Sequence, residues 1–267
     1  MSATPREPTD VPSPAADVLI MPGRVQDAGA GWTWIAQGWR LFARAPVMWI
    51  VTLILLLIIA FALALVPFLG HIVLQVLTPV FVGGLMLACA AIESTGNFEL
   101  GEIFGGFRTR FGALAAVGLI FFLGQVVIFV VCIAIVGFGT IAGIFGMLVS
   151  GDTENAAQAV LATGASIVLA TLVAAALYVP LLAAVWLAPA LVVMHGVGPV
   201  RAMGASFSAC LRNFLPFFVY SVVMLVFAIV AAIPLMLGFL VWVPLTITST
   251  YASYRGIFTR NAVSIAA

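Results

Sequence analysis

Long apolar runs separated by short amphipathic segments form the dominant pattern of this chain. The first amphipathic segment covers residues 32–45, and its apolar residues recur at helical spacing: Trp32, Ile35, Trp39 and Phe42. An apolar run from Val47 to Leu69 follows directly and contains no charged residue. A run of this length is sufficient for a transmembrane helix. The pattern therefore predicts a surface helix that leads into a membrane span.

The same pattern continues to the end of the chain and predicts six spans. We place them at about residues 47–69, 72–92, 113–136, 171–194, 215–235 and 239–254. Two further amphipathic stripes precede the third and the fifth span: Leu100, Ile103, Phe104, Phe107 and Phe111, and then Val200, Met203, Phe207, Leu211 and Phe214. Residues 138–170 exceed what a connection needs. The length of this segment predicts an insertion of short interfacial or re-entrant helices packed against the outer ends of the spans.

Prolines and glycines recur at matching places in the three pairs of spans. The first span of each pair has Pro46, Gly112 or Pro216 at its start. The second span, which returns across the membrane and is called the returning span, contains Pro79, Pro180 or Pro244. The pattern predicts an all-α membrane protein with six transmembrane helices as three pseudo-repeated hairpins, each preceded by an amphipathic interfacial helix. The prolines of the returning spans predict helix kinks. A central cavity opened by these kinks is the alternative interpretation.

Composition supports membrane insertion and argues against nucleic acid as a partner. Apolar residues make up 64% of the chain and charged residues 7%, whereas soluble domains contain about 25% charged residues. The chain has too few charged residues to cover a soluble domain, so we interpret it as an integral membrane protein. The net charge of +1 lacks the strongly basic field that nucleic-acid binding requires.

The two ends of the chain differ from the membrane domain between them. Residues 1–30 contain five prolines, which prevent a helix of useful length, and we expect a disordered cytoplasmic tail there. A docking role for the short apolar patch at residues 18–21 is the alternative. We assign residues 31–258 to the membrane domain and residues 259–267 to a second short cytoplasmic tail.

The positions of the basic residues predict the orientation. All ten are arginines, and with six spans every one of them falls on the same side: Arg6, Arg24, Arg40, Arg44, Arg108, Arg110, Arg201, Arg212, Arg255 and Arg260. Basic residues concentrate on the cytoplasmic side of membrane proteins. The chain is therefore expected to be a multi-pass protein with both termini in the cytoplasm.

The amphipathic segments supply candidate contacts to the bilayer. An arginine next to a membrane can bind lipid phosphate in a bidentate manner. The candidate head-group contacts are Arg40, Arg44, Arg108, Arg110, Arg201 and Arg212. Tryptophan favours the membrane–water boundary, because its ring is apolar and its N–H group remains hydrated. The candidate interfacial anchors are Trp32, Trp34, Trp39 and Trp49.

Few residues could support catalysis. No ionisable side chain lies inside a predicted span; Glu93 is at a span end, His71 in a turn and His195 at a boundary. Three isolated cysteines have no metal-ligand or disulfide spacing and are expected to be packing residues: Cys89, Cys132 and Cys210. We predict no catalytic, cofactor or metal site and no enzymatic activity. The hydroxyl run at residues 246–250 predicts contacts within or between helices, or alternatively a polar path.

Three segments carry a resemblance to a known family. They are Gly38-Trp-Arg-Leu-Phe42 with Pro46 and Trp49, followed by Pro79-Val-Phe-Val-Gly-Gly84, and Ala209-Cys-Leu-Arg-Asn-Phe-Leu-Pro-Phe217. They resemble a family of uncharacterised proteobacterial inner-membrane proteins. The architecture is also similar to YciC-type proteins and to the membrane domain fused to some glycerophosphodiester phosphodiesterases. The resemblance implies a bacterial inner-membrane location and covers roughly residues 32–258. The soluble phosphodiesterase domain is absent, so no such activity is implied.

Two classes of function follow from these observations. The first is a non-enzymatic membrane protein that binds lipid or a protein partner, with the three surface helices as a cytoplasmic collar. The alternative is a transporter or channel that passes a small or apolar solute through the helix bundle. Membrane lipids are the expected partners, and the pattern does not distinguish a protein partner from a second copy of the chain.

Overall fold

The computed structural model describes residues 19–150 and 154–259, and most of these residues are helical. The helices are α1 (Ala30–Arg44), α2 (Pro46–Ala64), α3 (Leu69–Thr95), α4 (Gly105–Thr109), α5 (Phe111–Ser150), α6 (Glu154–Trp186), α7 (Ala188–His195), α8 (Pro199–Arg212), α9 (Phe214–Ala232) and α10 (Phe239–Phe258). A short 3-10 helix, Leu100–Phe104, precedes α4.

Five segments of the described chain are long and apolar enough to cross a membrane. They are Pro46–Ala64, Leu69–Thr95, Phe111–Val149, Ala159–His195 and Phe214–Ala232. The chain is therefore an all-helical membrane protein. Helix α10, which contains the sixth predicted span, is less apolar because of its threonine, serine and tyrosine residues, and most of its C-terminal half is buried.

The expected insertion at residues 138–170 does not form separate interfacial helices. Helix α5 continues without a break from Phe111 to Ser150, and α6 begins at Glu154 and packs along α5 as an antiparallel hairpin. Gly139 lies against Ser166, and Gly143 lies against Ala159. Small residues at these positions let the two backbones approach closely, as they do between membrane helices. The glycines therefore serve the contact between the two helices and do not break α5.

Each predicted surface segment packs on a helix of another predicted pair of spans. Helix α1 packs against α10, the 3-10 helix and α4 pack against α3, and α8 packs against α6 and α7. Small residues lie at these contacts. A Cβ atom added to Gly38 of α1 would lie 2.6 Å from the backbone nitrogen of Ser249 in α10. Such spacing leaves no room for a side chain at position 38.

The buried faces of α1 and α8 differ from the predicted stripes. In α1 the buried residues are Gly31, Trp34, Ile35, Gly38, Leu41 and Phe42. In α8 they are Ala202, Met203, Ala205, Ser206 and Ala209. Of the predicted stripes, Trp32, Trp39, Val200, Leu211 and Phe214 are exposed. The small residues pack onto the spans because they allow close approach, and many of the large apolar residues remain outside.

The second amphipathic segment is not one continuous helix. The 3-10 helix ends at Phe104, α4 covers only five residues, and α5 begins at Phe111. Gly106 of α4 packs against the carbonyl group of Val80 in α3. The aromatic residues of the predicted stripe still meet, since Phe107 contacts Phe104 and Phe111.

A buried serine holds the break between α6 and α7. Ser206 of α8 donates a hydrogen bond to the carbonyl oxygen of Ala183 (2.6 Å) and accepts one from the backbone N–H of Leu187 (3.0 Å). Pro189 follows this break and cannot donate a backbone hydrogen bond. The serine thus replaces part of the helical hydrogen bonding that is missing where one helix ends and the next begins.

The segment before α1 is ordered from residue 19 onward, which corrects the expected disorder of residues 1–30 for this part. Ile20 and Arg24 donate backbone hydrogen bonds to the carbonyl oxygens of Phe258 and Ile257, each at 2.8 Å. Asn213 accepts from the backbone N–H of Gln26 at 2.7 Å. The segment therefore joins the end of α10 to the junction of α8 and α9. Residues 1–18 and 260–267 lie outside the described residues.

Candidate functional site

An apolar groove of about 670 Å³ lies between α1 and the hairpin of α9 and α10. Residues from all three helices and their connection line it: Trp32, Ile35, Ala36, Trp39, Arg40, Phe227, Val230, Ala231, Pro234, Gly238, Val241, Trp242 and Leu245. Arg40 is the one charged residue of this lining. The groove thus combines an apolar surface with a single guanidinium group.

The α1 side of the groove carries aromatic side chains that face outward. Trp32 is 56% exposed and Trp39 is 50% exposed, and both line the groove beside Arg40. On the opposite side, Trp242 donates a hydrogen bond from its ring N–H to the carbonyl oxygen of Met224 (2.9 Å). This bond fixes an aromatic wall of the groove. The role of the exposed Trp32 and Trp39 as interfacial anchors stays a prediction.

Two of the four predicted anchors have a different place in the fold. Trp34 and Trp49 are buried, with 3% and 1% exposure. Trp34 packs against Phe217 with ring centroids 5.0 Å apart, and Trp49 stacks on Phe98 at the same distance. The prediction of interfacial anchors is therefore wrong for these two residues, because their rings pack inside the protein and are not exposed to a surrounding bilayer.

The six candidate arginines are all exposed, and they lie on different elements. Arg40 lines the groove. Three others donate to backbone carbonyl oxygens: Arg44 to Ile92, Arg108 to Gly101 and Arg212 to Gly23. Arg110 packs against Gly196, and Arg201 is in the first turn of α8. Of the six, Arg40 lines the groove between α1, α9 and α10, and at least three of the others donate to backbone carbonyl groups.

A second feature is a partly buried polar cluster that joins helix ends. Tyr251 donates a hydrogen bond to the Glu93 carboxylate (2.6 Å), and Arg255 lies 3.4 Å from the other carboxylate oxygen. The hydroxyl of Tyr254 lies 2.6 Å from Nε2 of His195. These contacts connect α3, α7 and α10. Sequence reasoning treated Glu93 and His195 as boundary residues and missed the cluster, since its members are far apart in the chain.

The hydroxyl run of α10 makes the contacts expected of packing residues. Ser249 bonds to the carbonyl oxygen of Leu245 (2.6 Å) and lies 2.9 Å from the hydroxyl of Tyr220 in α9. Thr248 and Thr250 bond to carbonyl groups three or four residues earlier in the same helix. Three of these hydroxyl residues are buried, so they support helix contacts rather than an open polar path.

The cysteines have no arrangement that suggests reactivity or metal binding. Cys89 is buried, and burial raises the pKa of the Cys210 thiol to about 12. Cys210 therefore stays protonated near neutral pH and donates weakly to the carbonyl oxygen of Ala183 (3.6 Å). Within the described ranges, no group of three or more histidine, cysteine or acidic residues could hold a metal ion.

Comparison with known proteins gives one informative relative. A probable inner membrane protein of Burkholderia thailandensis is 30% identical to this chain over 254 residues, which cover 86% of this chain and 92% of that protein. No protein-family model matches the chain, and no solved structure matches it. The name of this relative and the apolar helices of the chain both indicate an inner-membrane protein. The likeness to YciC-type proteins and to the phosphodiesterase membrane domain remains a resemblance of pattern.

Proposed function

This chain belongs to the same family as the probable inner membrane protein of Burkholderia thailandensis, and we propose that it is a non-enzymatic lipid-binding protein of the bacterial inner membrane. Its ligand would be a phospholipid with an anionic head group. The single observation that carries the proposal is the groove between α1, α9 and α10, with Arg40 in its lining.

The proposed membrane placement has six spans, with α10 as the sixth. Helix α10 packs against α1, α2, α3 and α9, so its polar residues are covered by protein and not by lipid. Polar groups inside a bilayer need such internal partners. With six spans the described arginines lie on one side, which is the cytoplasmic side by the positive-inside rule. Six spans would then place both termini in the cytoplasm.

Three pseudo-repeated hairpins are part of the same proposal. Its support is the packing of each surface segment on the returning span of another pair. In two of these spans the contact lies five residues after the internal proline, at Gly84 after Pro79 and at Ser249 after Pro244. In the third returning span, Ala183 follows Pro180 by three residues, and its carbonyl oxygen accepts a hydrogen bond from the Ser206 hydroxyl. Matching contacts of this kind support a common origin of the three units.

The chemistry of the groove matches one phospholipid better than a water-soluble solute. An acyl chain would lie against the aliphatic and aromatic side chains of α9 and α10, which exclude water. The Arg40 guanidinium presents several N–H donors to a phosphate, and Trp32 and Trp39 favour the boundary depth where head groups lie. Contacts of these kinds are sufficient to bind a phospholipid without a catalytic residue. Transport lacks comparable support, because the buried hydroxyl groups described above already bond to protein atoms.

Filling the groove should remove the bound lipid. In Val230→Trp, a large ring replaces a side chain that is 57% exposed and lines the groove, so native mass spectrometry from nanodiscs should show most of the retained lipid lost. The matched control is Ile229→Trp, one residue away on α9 and 61% exposed but outside the groove lining. Equal lipid retention in the two variants would contradict the proposal.

The head-group contact is tested separately. Loss of one charge-assisted hydrogen bond, about 1.5 kcal/mol, reduces binding roughly tenfold. We expect a decrease of that order for anionic lipid in Arg40→Ala and little change in Arg201→Ala, which removes an exposed arginine of α8 that is outside the groove lining. If both variants lost lipid to the same extent, the arginines would act as a general basic surface and the groove would not be the binding site.

A further inference from the structure

The α5–α6 hairpin extends beyond the outer ends of the neighbouring helices. A small cavity is lined by His71, near the start of α3, and by Gln125, Phe129 and Tyr178 of the hairpin. These three hairpin residues therefore lie at the same height as the turn between α2 and α3. Helix α5 continues to Ser150, which is about 30 Å beyond Phe129 at 1.5 Å per residue. Helix α6 covers a similar length between Glu154 and Tyr178.

This length exceeds what the bilayer around the other helices can cover. Helices α2 and α9 have 19 residues each, or about 28 Å, which matches the ~30 Å apolar thickness of a bilayer. If α2 and α9 fill that thickness, the outer part of the α5–α6 hairpin projects beyond it. The hairpin packs against α3 near its inner end, which limits how far it can tilt away from the bundle.

The projecting part has a strongly apolar outer surface. Its small residues face inward between the two helices, as in the contact between Gly139 and Ser166, and Ser166 and Ala170 are its buried residues within the described ranges. Large side chains face outward, each more than 65% exposed: Phe138, Ile141, Phe145, Leu148, Val149, Val160 and Leu161. Soluble surfaces rarely expose an apolar patch larger than a few hundred Å². Another apolar surface is therefore required to cover it.

The outer surface carries both a protruding side chain and a groove beside it. Phe138 is 78% exposed. It borders a groove of about 650 Å³ between α5 and α6, whose other lining residues are Ala134, Ile135, Gly139, Ala165, Ser166 and Leu169. A protruding ring next to an apolar groove on the same face is the arrangement that a two-fold symmetric contact requires, since each copy supplies the part that the other receives.

We propose that a second copy of this chain covers the projecting hairpin, with Phe138 of each copy in the groove of the other. Copies inserted in the same orientation present this surface at the same height, so a two-fold axis along the membrane normal brings the two grooves together. Phenylalanine buries about 150–250 Å². Phe138 and Phe145 together would supply a substantial part of the ~800 Å² per partner found in stable interfaces. The proposal goes beyond lipid binding and uses different residues.

Site-directed disulfide formation tests this contact in the full-length protein reconstituted in liposomes. In a Cys132→Ala background that keeps Phe138, Ile141→Cys should give a disulfide-linked dimer at high dilution in lipid, because Ile141 is 69% exposed on the same outer surface one turn from Phe138. The matched control is Phe129→Cys, 65% exposed on the same helix but at the level of the bundle, and it should remain monomeric. The proposal is overturned if the Ile141→Cys variant yields no more dimer than the Phe129→Cys variant.

A second pair of variants covers the case in which an introduced cysteine does not react. We expect Phe138→Ala to lower the dimer fraction about tenfold by single-molecule photobleaching in liposomes, while Phe129→Ala leaves it unchanged. A monomeric unmodified protein, covered by lipid alone, would contradict the proposal. Val230→Trp should still form the dimer, so failure of the lipid groove and failure of the dimer contact are distinguished.

Discussion

Gly38→Ala is expected to detach α1 from α10 and to lose at least ~2 kcal/mol of stability, as overpacking in a filled contact does. The added Cβ atom would lie 2.6 Å from the backbone nitrogen of Ser249 and 2.8 Å from its Cα atom. Neither atom can move without moving helix α10. Thermal unfolding in detergent micelles measures the change, and lipid retention should fall with it because α1 forms one side of the groove.

Gly204→Ala is a control for which we expect the opposite change in stability. Gly204 lies in α8, where an added Cβ atom would meet no other atom within 4 Å. Alanine stabilises a helix interior by about 1 kcal/mol relative to glycine. The same substitution should therefore raise the unfolding temperature at position 204 and lower it at position 38. If Gly38→Ala were as stable as Gly204→Ala, the close packing of α1 on α10 would be incorrect.

Glu93→Ala should cost about 3 kcal/mol, the low end of the range for breaking a buried ion pair. The substitution leaves the Arg255 guanidinium and the Tyr251 hydroxyl without their carboxylate partner inside the protein. Their side chains allow only limited access to water, since the ion-paired groups of Arg255 and Glu93 are 13% and 20% exposed. Equilibrium unfolding in mixed micelles gives the free-energy change.

Two further variants show whether the loss arises from the polar cluster. Glu93→Gln keeps an oxygen that can accept from Tyr251, so its loss of stability should be smaller than that of Glu93→Ala. Glu99→Ala removes an exposed acidic residue a short distance along the chain and should change stability little. An equal effect of Glu93→Ala and Glu99→Ala would mean that the cluster does not hold the helix ends together.

The starts of helices α2 and α9 were predictable, because an apolar run can satisfy its own backbone groups in a bilayer as a helix. Helices α2 and α9 begin within one residue of the predicted starts at 47 and 215. The start of the fourth span was not predictable in this way, since it was predicted at residue 171 and the apolar segment begins at Ala159. Which apolar face packs inward was not predictable from the same pattern. In a membrane the lipid-facing and the buried faces are both apolar, and in α1 the small residue Gly38 decides the contact.

The continuity of α5 illustrates another limit of sequence patterns. Four glycines after Val136 indicate a break by the propensities of soluble helices, and the chain nevertheless remains helical to Ser150. A partner helix with small residues changes the outcome, since Gly139 and Gly143 lie against Ser166 and Ala159. The residue pattern of α5 by itself does not contain this partner helix.

The candidate site was predictable only in part. Arg40 and the exposed Trp32 and Trp39 were identified from the amphipathic segment alone. The other walls of the groove come from α9 and α10, nearly 200 residues away, and their apolar residues resemble any lipid-facing surface in the sequence. In the sequence, only Pro234 and Gly238, which lie between α9 and α10, indicate where this end of the groove is formed.

Labelling with a photoactivatable anionic phospholipid tests the central claim most directly. The probe carries a diazirine on its acyl chain, and the full-length protein is irradiated in liposomes before its peptides are sequenced. The account predicts adducts concentrated on the groove residues of α1, α9 and α10, with far fewer in Val230→Trp. Adducts spread evenly over the exposed faces of α2 and α5, unchanged by that substitution, would contradict a specific lipid site.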